Sequence, residues 1–217
     1  MASEQLSESS RSIMHYSSSN KILLVGEGDF SFSTCLAQAF GSAKNMTATS
    51  LDTAGEAMGK YRHARDNLKT LSELGCTIVH GVDALSMKRH PALKGHKFDR
   101  IIFNFPHAGL HYSTEHDQRQ IKLHQAMVSG FFKSARKMLT KGGQIHVTHK
   151  TSHPFNMWCI ESLANDCGLR LLENPKFFKF DYPGYINKWE AGRVKFDKSF
   201  QIGQARTFMF AKASSVS

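Results

Sequence analysis

Two stretches of the 217-residue chain carry side chains suited to chemistry. The first is Val25-Gly26-Glu27-Gly28-Asp29-Phe30-Ser31. Its glycines permit a tight turn and let a ligand approach the main chain, and a helix starting there offers free N–H groups. A dinucleotide would be a poor guest. Ser31 departs from the G-x-G-x-x-G pattern, and Glu27 and Asp29 would repel a pyrophosphate. The same acids suit a cationic ligand without phosphate, such as S-adenosylmethionine with its sulfonium and ammonium. Asp52, expected at the end of the next strand, offers a carboxylate that accepts both hydroxyls of a ribose. Asp83, ending the strand after that, suits an adenine amino group.

The second stretch is Phe98-Asp99-Arg100-Ile101-Ile102-Phe103-Asn104-Phe105-Pro106-His107-Ala108-Gly109. Here an asparagine leaves a strand into a turn held by proline, and its amide both donates and accepts. Phe105 or His107 offers a flat ring to stack on a base. Methyltransferases that act on planar nitrogens use a similar Asn-Pro-Pro-aromatic turn. His107 is also a candidate proton acceptor.

Both stretches need a frame that brings them together. Short apolar runs at 22–25, 47–52, 77–83, 100–105, 144–149, 169–172 and 206–211 read as strands. Between the first five lie helical patterns at 31–40, 54–74 and 115–140, and another begins at Pro154. Ser31 or Ser33 is the expected cap of the first helix, and Lys141-Gly142-Gly143 the expected stop of the third. This alternation predicts an α/β fold with a mostly parallel seven-stranded sheet and helices on both faces. Right-handed crossovers then place every strand's C-terminal end at one edge, where ligands of open α/β sheets bind.

Composition narrows the classes further. One domain is expected over 21–212, between a disordered Ser-rich tail at 1–20 and a short tail at 213–217. No apolar run approaches bilayer length, and the opening residues lack the apolar segment of a secretory signal. Cys35, Cys76, Cys159 and Cys167 lack C-x-x-C spacing and read as buried thiols in a reducing compartment. No metal is expected, because His107, His111 and His116 lack zinc spacing and read as a polar loop over the site. A net charge of +10 favours a polyanionic partner. Between 176 and 200, Phe177, Phe178, Phe180, Tyr182, Tyr185, Trp189 and Phe196 interleave with lysines and arginines, as in a stacking surface for single-stranded RNA.

Taken together, ILLVGEGDFSFS, the TATSLD strand, KYRHARDNLKTL, the GVDA segment, FDRIIFNFPHAG and GGQIHVTHK resemble eukaryotic large-subunit rRNA uridine-N3 methyltransferases and their plant relatives. The resemblance runs from about Lys21 to about Lys212. It implies a Rossmann-like class I methyltransferase fold, S-adenosylmethionine as methyl donor, and N3 of a uridine in large-subunit rRNA as target. Gly26, Glu27, Gly28, Asp29 and Phe30 match the family's donor loop. Asn104, Phe105, Pro106 and His107 match its substrate-side turn. An rRNA target implies the nucleolus or nucleus, with the cytoplasm as alternative. The chain departs from the family after Tyr182-Pro183-Gly184-Tyr185, where Ile186-Asn187-Lys188-Trp189-Glu190 replaces a His-Arg-Arg-Thr-like basic segment. A binding protein that keeps the fold without catalysis is the alternative this leaves.

Overall fold

The structure is a computed structural model and describes residues 10–189 and 197–214. The chain opens with a small hairpin, β1 (Ser12–Ile13) and β2 (Tyr16–Ser17). Next come β3 (Ile22–Val25), α1 (Ser31–Phe40) and β4 (Met46–Thr49). After α2 (Ala54–Lys60) and α3 (Ala64–Glu73), β5 (Thr77–Val79) and β6 (Phe98–Asn104) extend the sheet. α4 (Gln118–Arg136), β7 (Leu139–Lys150), α5 (Ile160–Asp166), β8 (Leu169–Glu173) and β9 (Ala205–Lys212) complete it.

The main sheet has seven strands in the order β5-β4-β3-β6-β7-β9-β8. β3 is apolar throughout because both of its faces are covered. Leu23 and Val25 join the core beneath α4, with Ile101, Phe103, Val128 and Phe131. Ile22 and Leu24 join the core beneath α1, with Leu36, Ala48 and Ile102. Full burial of each such side chain contributes about 1.5–3 kcal/mol. β3 pairs in parallel with β4 and β6, so the residues that follow Val25 and Asn104 emerge side by side.

Several expectations need correction. β9 runs antiparallel to both β7 and β8, so its C-terminal end lies at the opposite edge from the other six. Residues 12–17 are not a disordered tail. Tyr16 is buried, with its ring against Phe32, His146 and Tyr182, and this contact holds the hairpin on the sheet. The helix expected over 54–74 breaks at Tyr61, which is extended and turns its ring inward against Gly28. Strands β4 and β5 stop at Thr49 and Val79, leaving Asp52 and Asp83 in the loops beyond. Lys141-Gly142-Gly143 does not stop a helix but lies within β7, opposite an irregularity between Phe98 and Arg100. A Cβ on Gly143 would sit 2.9 Å from the Phe98 carbonyl oxygen, so only glycine fits there. The helix expected from Pro154 is a 3-10 turn over Phe155–Trp158 followed by α5, divided at left-handed Cys159. No helix among the described residues is long and apolar enough to cross a membrane.

Candidate active site

The ends of β3, β4, β5, β6 and β7 open into one cavity of about 370 Å³. Gly26, Glu27, Gly28, Asp29, Asp52, Asp83, Asn104, Phe105, Pro106 and His107 all line it. Phe30 does not. It is fully buried, edge-on to His80, and its left-handed backbone (φ 62°) launches α1.

The turn after β3 is built tightly. Gly26 has φ +69°, and a Cβ there would lie 2.5 Å from the Phe103 ring. Neither Ser31 nor Ser33 caps α1. Asp29 supplies the acceptor instead, taking the Ser31 N–H at 3.0 Å on Oδ1. Ser33 donates its N–H (3.1 Å) and hydroxyl (2.7 Å) to Glu27 Oε2. Burial pushes the Glu27 carboxyl up to about 7 despite these bonds, and the neighbouring Asp29 adds to the rise. Burial also raises Asp29. The Asp29 Oδ2 atom is buried without a hydrogen-bond partner, and the Lys188 ammonium lies 3.9 Å away.

Asp52 and Asp83 are differently engaged. Asp52 forms an ion pair with Lys60 across the first turns of α2. Asp83 spends both oxygens on its own turn, accepting the Leu85 N–H (2.9 Å) and the Ser86 hydroxyl (3.1 Å).

At the end of β6, both amide atoms of Asn104 are buried and have no hydrogen-bond partner. Native structures rarely leave such groups unsatisfied, and an exception calls for an explanation such as a ligand. Phe105 is held at φ 48°, with its N–H on the Thr148 carbonyl at 2.7 Å and its ring edge-on to Phe177 and Phe200. That ring is therefore packed into the wall.

His107 belongs to a cluster that sequence reasoning missed. Glu115 reaches His107 Nε2 at 2.8 Å with one oxygen and His124 Nε2 at 3.1 Å with the other. Each imidazole accepts a main-chain N–H at Nδ1, from Gly109 and Ala108 respectively. Nε2 of each imidazole then faces Glu115, and His124 Nε2 also lies 2.9 Å from the Gln120 amide nitrogen. His107, Glu115 and His124 lie close enough together to hold an ion. Burial disfavours the Glu115 carboxylate, but the hydrogen bonds from His107 and His124 outweigh it and hold the group down to about 2. Its folded value lies below the unfolded one of about 4.3, so its stabilisation is present above that pH and lost as pH falls toward 2. Melting curves of Glu115→Gln are expected to lie below wild type at pH 7 and to converge with it near about pH 2–3. Parallel curves would show that the clamp carries no pH-linked stability. The signal in the sequence was a lone acid in a histidine-rich loop.

The departure after Tyr185 lies at the rim of this cavity. The Ile186 N–H donates to the Ser31 hydroxyl at 2.9 Å, and Asn187 donates to the Phe200 carbonyl at 2.6 Å. Lys188 is drawn in and paired to Asp197 at 2.5 Å. Of the aromatics between 176 and 200, Phe177, Tyr182 and Tyr185 are core, whereas Phe178, Phe180 and Trp189 are exposed. Phe196, Arg193 and Lys195 lie outside the described residues. His146 and His149 are buried and held neutral, burial lowering them to about 3 and about 4. His149 also lines the cavity.

Residues 23–189 match the family described as rRNA (uridine-N3-)-methyltransferase BMT5-like. The chain belongs to this family. An uncharacterized Arabidopsis thaliana protein is 48% identical over 202 residues, covering 93% of this chain and 97% of that one. The heavy metal-associated isoprenylated plant protein 41 of the same plant is 50% identical over 91% of this chain, which spans 38% of that relative's length. The Saccharomyces cerevisiae 25S rRNA (uridine(2634)-N(3))-methyltransferase is 24% identical over 92% of this chain and 75% of its own. The BMT5-like fold is that of class I methyltransferases. A Pyrococcus furiosus methyltransferase superposes with a TM-score of 0.54 at 16% identity, over 90% of this chain and 76% of that one. The N-methyltransferase NodS of Bradyrhizobium japonicum, in complex with S-adenosyl-L-homocysteine, gives 0.50 at 13% identity, over 89% and 78%.

Proposed function

We propose that this protein transfers a methyl group from S-adenosylmethionine to N3 of a uridine in large-subunit rRNA. The observation that carries this reading is Asn104, whose amide is buried and unpartnered in the cavity the glycine turn also lines. A uracil N3–H and its flanking carbonyl oxygens present the donor and acceptors that such an amide matches. The family description and the name of the yeast relative support the reaction and the target.

The residues present fit the donor. The unsatisfied Asp29 Oδ2 is an acceptor suited to an ammonium, and Gly28 lines the cavity with bare main chain beside the Tyr61 ring. When bound, S-adenosylmethionine supplies a methyl group on a cationic sulfur. Gly26, Gly28 and Asp29 would hold the donor, and Asp52 would meet its ribose after releasing Lys60. Asn104 would orient the uracil, with Phe105 and Pro106 shaping the turn. His107, tied to Glu115, would keep that turn rigid. Alignment of donor and base, with exclusion of water once both are bound, would do most of the work. A base inside a duplex would have to leave the stack first. Exposed Phe178, Phe180 and Trp189, beside Lys176 and Lys179, would meet flanking nucleotides. Work on this substrate belongs in the nucleolus or nucleus, with the cytoplasm as alternative.

Incubation with labelled S-adenosylmethionine and unmodified large-subunit rRNA, followed by nucleoside analysis, tests the reading. Label in 3-methyluridine is expected. Donor binding with no methylated product would favour a binding protein. That second reading draws on one observation: the chain's own Lys60 and Lys188 already stand beside the acids Asp52 and Asp29.

The donor's affinity should depend on pH. Glu27 titrates near 7 and is ionised above it. A cationic ligand favours the ionised form, so affinity is expected to fall below pH 7 by up to about tenfold per unit, with uptake of a proton by the free protein. Calorimetry between about pH 6 and about pH 8 checks this. A flat profile equal to that of Glu27→Gln would remove Glu27 from donor binding.

A further inference from the structure

We propose that Lys150 is a catalytic residue: its ammonium holds a carbonyl oxygen of the target uracil while the N3 proton leaves. This rests on the uridine-methylation reading above. Lys150 closes β7, whose register sets Asn104 opposite Thr148. Side chains alternate along a strand, so Thr148 and Lys150 share the sheet face of Asn104. Asn104 and Lys150 both line the cavity.

The lysine is held in an uncommon way. Its Nζ lies 4.7 Å from the centre of the Phe155 ring and 4.8 Å from that of Phe200. No carboxylate among the described residues hydrogen-bonds or ion-pairs with it. The cavity's other lysines are committed, Lys60 to Asp52 and Lys188 to Asp197. Among the described residues, two titratable groups interact electrostatically with Lys150. Glu115, from the loop before α4, lies near enough to favour the ammonium, and His149, adjacent on β7, is neutral. Burial lowers the ammonium's pKa and Glu115 offsets part of this. A cation held by ring faces keeps its positive field for an incoming anion, whereas one neutralised by a carboxylate does not.

Uridine methylation at N3 needs such a field. The N3–H bond must break, and its proton passes to water. The charge left behind spreads over N3, O2 and O4. The pair on N3 forms the bond to the methyl carbon as the carbon–sulfur bond breaks, its electrons staying on sulfur to give a neutral thioether. Lys150 neither gains nor loses a proton. It stabilises the negative charge on one carbonyl oxygen, while the Asn104 amide meets the N3–H edge.

The test is single-turnover transfer to an unmodified large-subunit rRNA transcript by wild type, Lys150→Met and Lys150→Arg, from about pH 6 to about pH 9.5. Lys150→Met is expected to react about 10²-fold more slowly at neutral pH, with its rising limb displaced to higher pH. Lys150→Arg keeps the charge and is expected to retain the wild-type profile. A transcript made with 5-fluorouridine, whose N3–H is more acidic, is expected to recover Lys150→Met far more than it accelerates wild type. Donor affinity by calorimetry and the thermal midpoint are expected to match wild type. Wild-type rate and profile in Lys150→Met overturn the proposal. So does a loss that is uniform across pH and untouched by 5-fluorouridine, which marks a packing role. A wild type that makes no 3-methyluridine overturns the methylation reading itself, and this proposal with it.

Discussion

Asn104→Ala is expected to lower methyl transfer by at least about 10²–10³-fold while leaving donor affinity within about twofold of wild type. The reason lies in what the amide does without a ligand, which is nothing. Neither its oxygen nor its nitrogen has a hydrogen-bond partner, although both atoms are buried. Removing such a group forfeits no internal bond and relieves the cost of desolvating it. The variant should therefore melt at or above the wild-type temperature. Lost activity with gained stability is the signature of a residue kept for its substrate rather than for the fold. Single-turnover transfer, calorimetry and a melting curve on the same preparation decide the matter. Unchanged turnover would remove Asn104 from the chemistry. Lost turnover with a large drop in melting temperature would make it a structural residue.

Gly28→Val is expected to weaken donor binding by about 10²-fold or more, since the donor and the new side chain would claim the same space. Gly28 is the better probe of the two loop glycines. Its backbone lies outside the left-handed region, and a Cβ there would lie 3.4 Å from the Tyr61 ring, an ordinary contact. The two further methyl groups of valine add bulk where Gly28 and Tyr61 line the cleft. Some crowding against Tyr61 is expected, at about 1–3 kcal/mol of stability. At Gly26 the same change would confound binding with folding, because φ is +69° and Phe103 blocks the Cβ. Calorimetry with S-adenosylmethionine on folded Gly28→Val reads the result. Wild-type affinity would show that the donor does not cross this turn.

The parts of the fold that were legible in the sequence are those set by short-range pattern. Ile22–Val25 and the run through Ile101 and Phe103 had to be central strands, since residues apolar on both faces need cover on both. The glycine turn and the Asn104 turn were legible for a related reason: unusual residues at a strand's end mark the ligand edge. What was not legible depends on contacts between distant residues. Glu115 gained meaning only when the loop returned it to His107 and helix α4 carried His124 to the same spot. Tyr61 broke a helix that no proline or glycine at that position announced, and its inward contact is with a loop 33 residues earlier in the chain. Tyr16 held down a serine-rich stretch through one ring. Phe30 read as part of the donor loop because it sits between acid and helix, yet its side chain went to the core while its backbone made the turn. The direction of β9 is invisible in an apolar run, which reads the same either way.

The place of β9 has a consequence in time. Ala205–Lys212 is synthesised after every other strand of this sheet, yet it lies between β7 and β8, and among the described residues β8 pairs with no other strand. As the chain leaves the ribosome, β8 and the exposed flank of β7 must wait for a partner still inside the exit tunnel. Strands β3 to β7 are complete long before and sit together on one side of the sheet. The nascent chain therefore carries an open, apolar sheet edge until β9 emerges, and in that interval it depends most on chaperones.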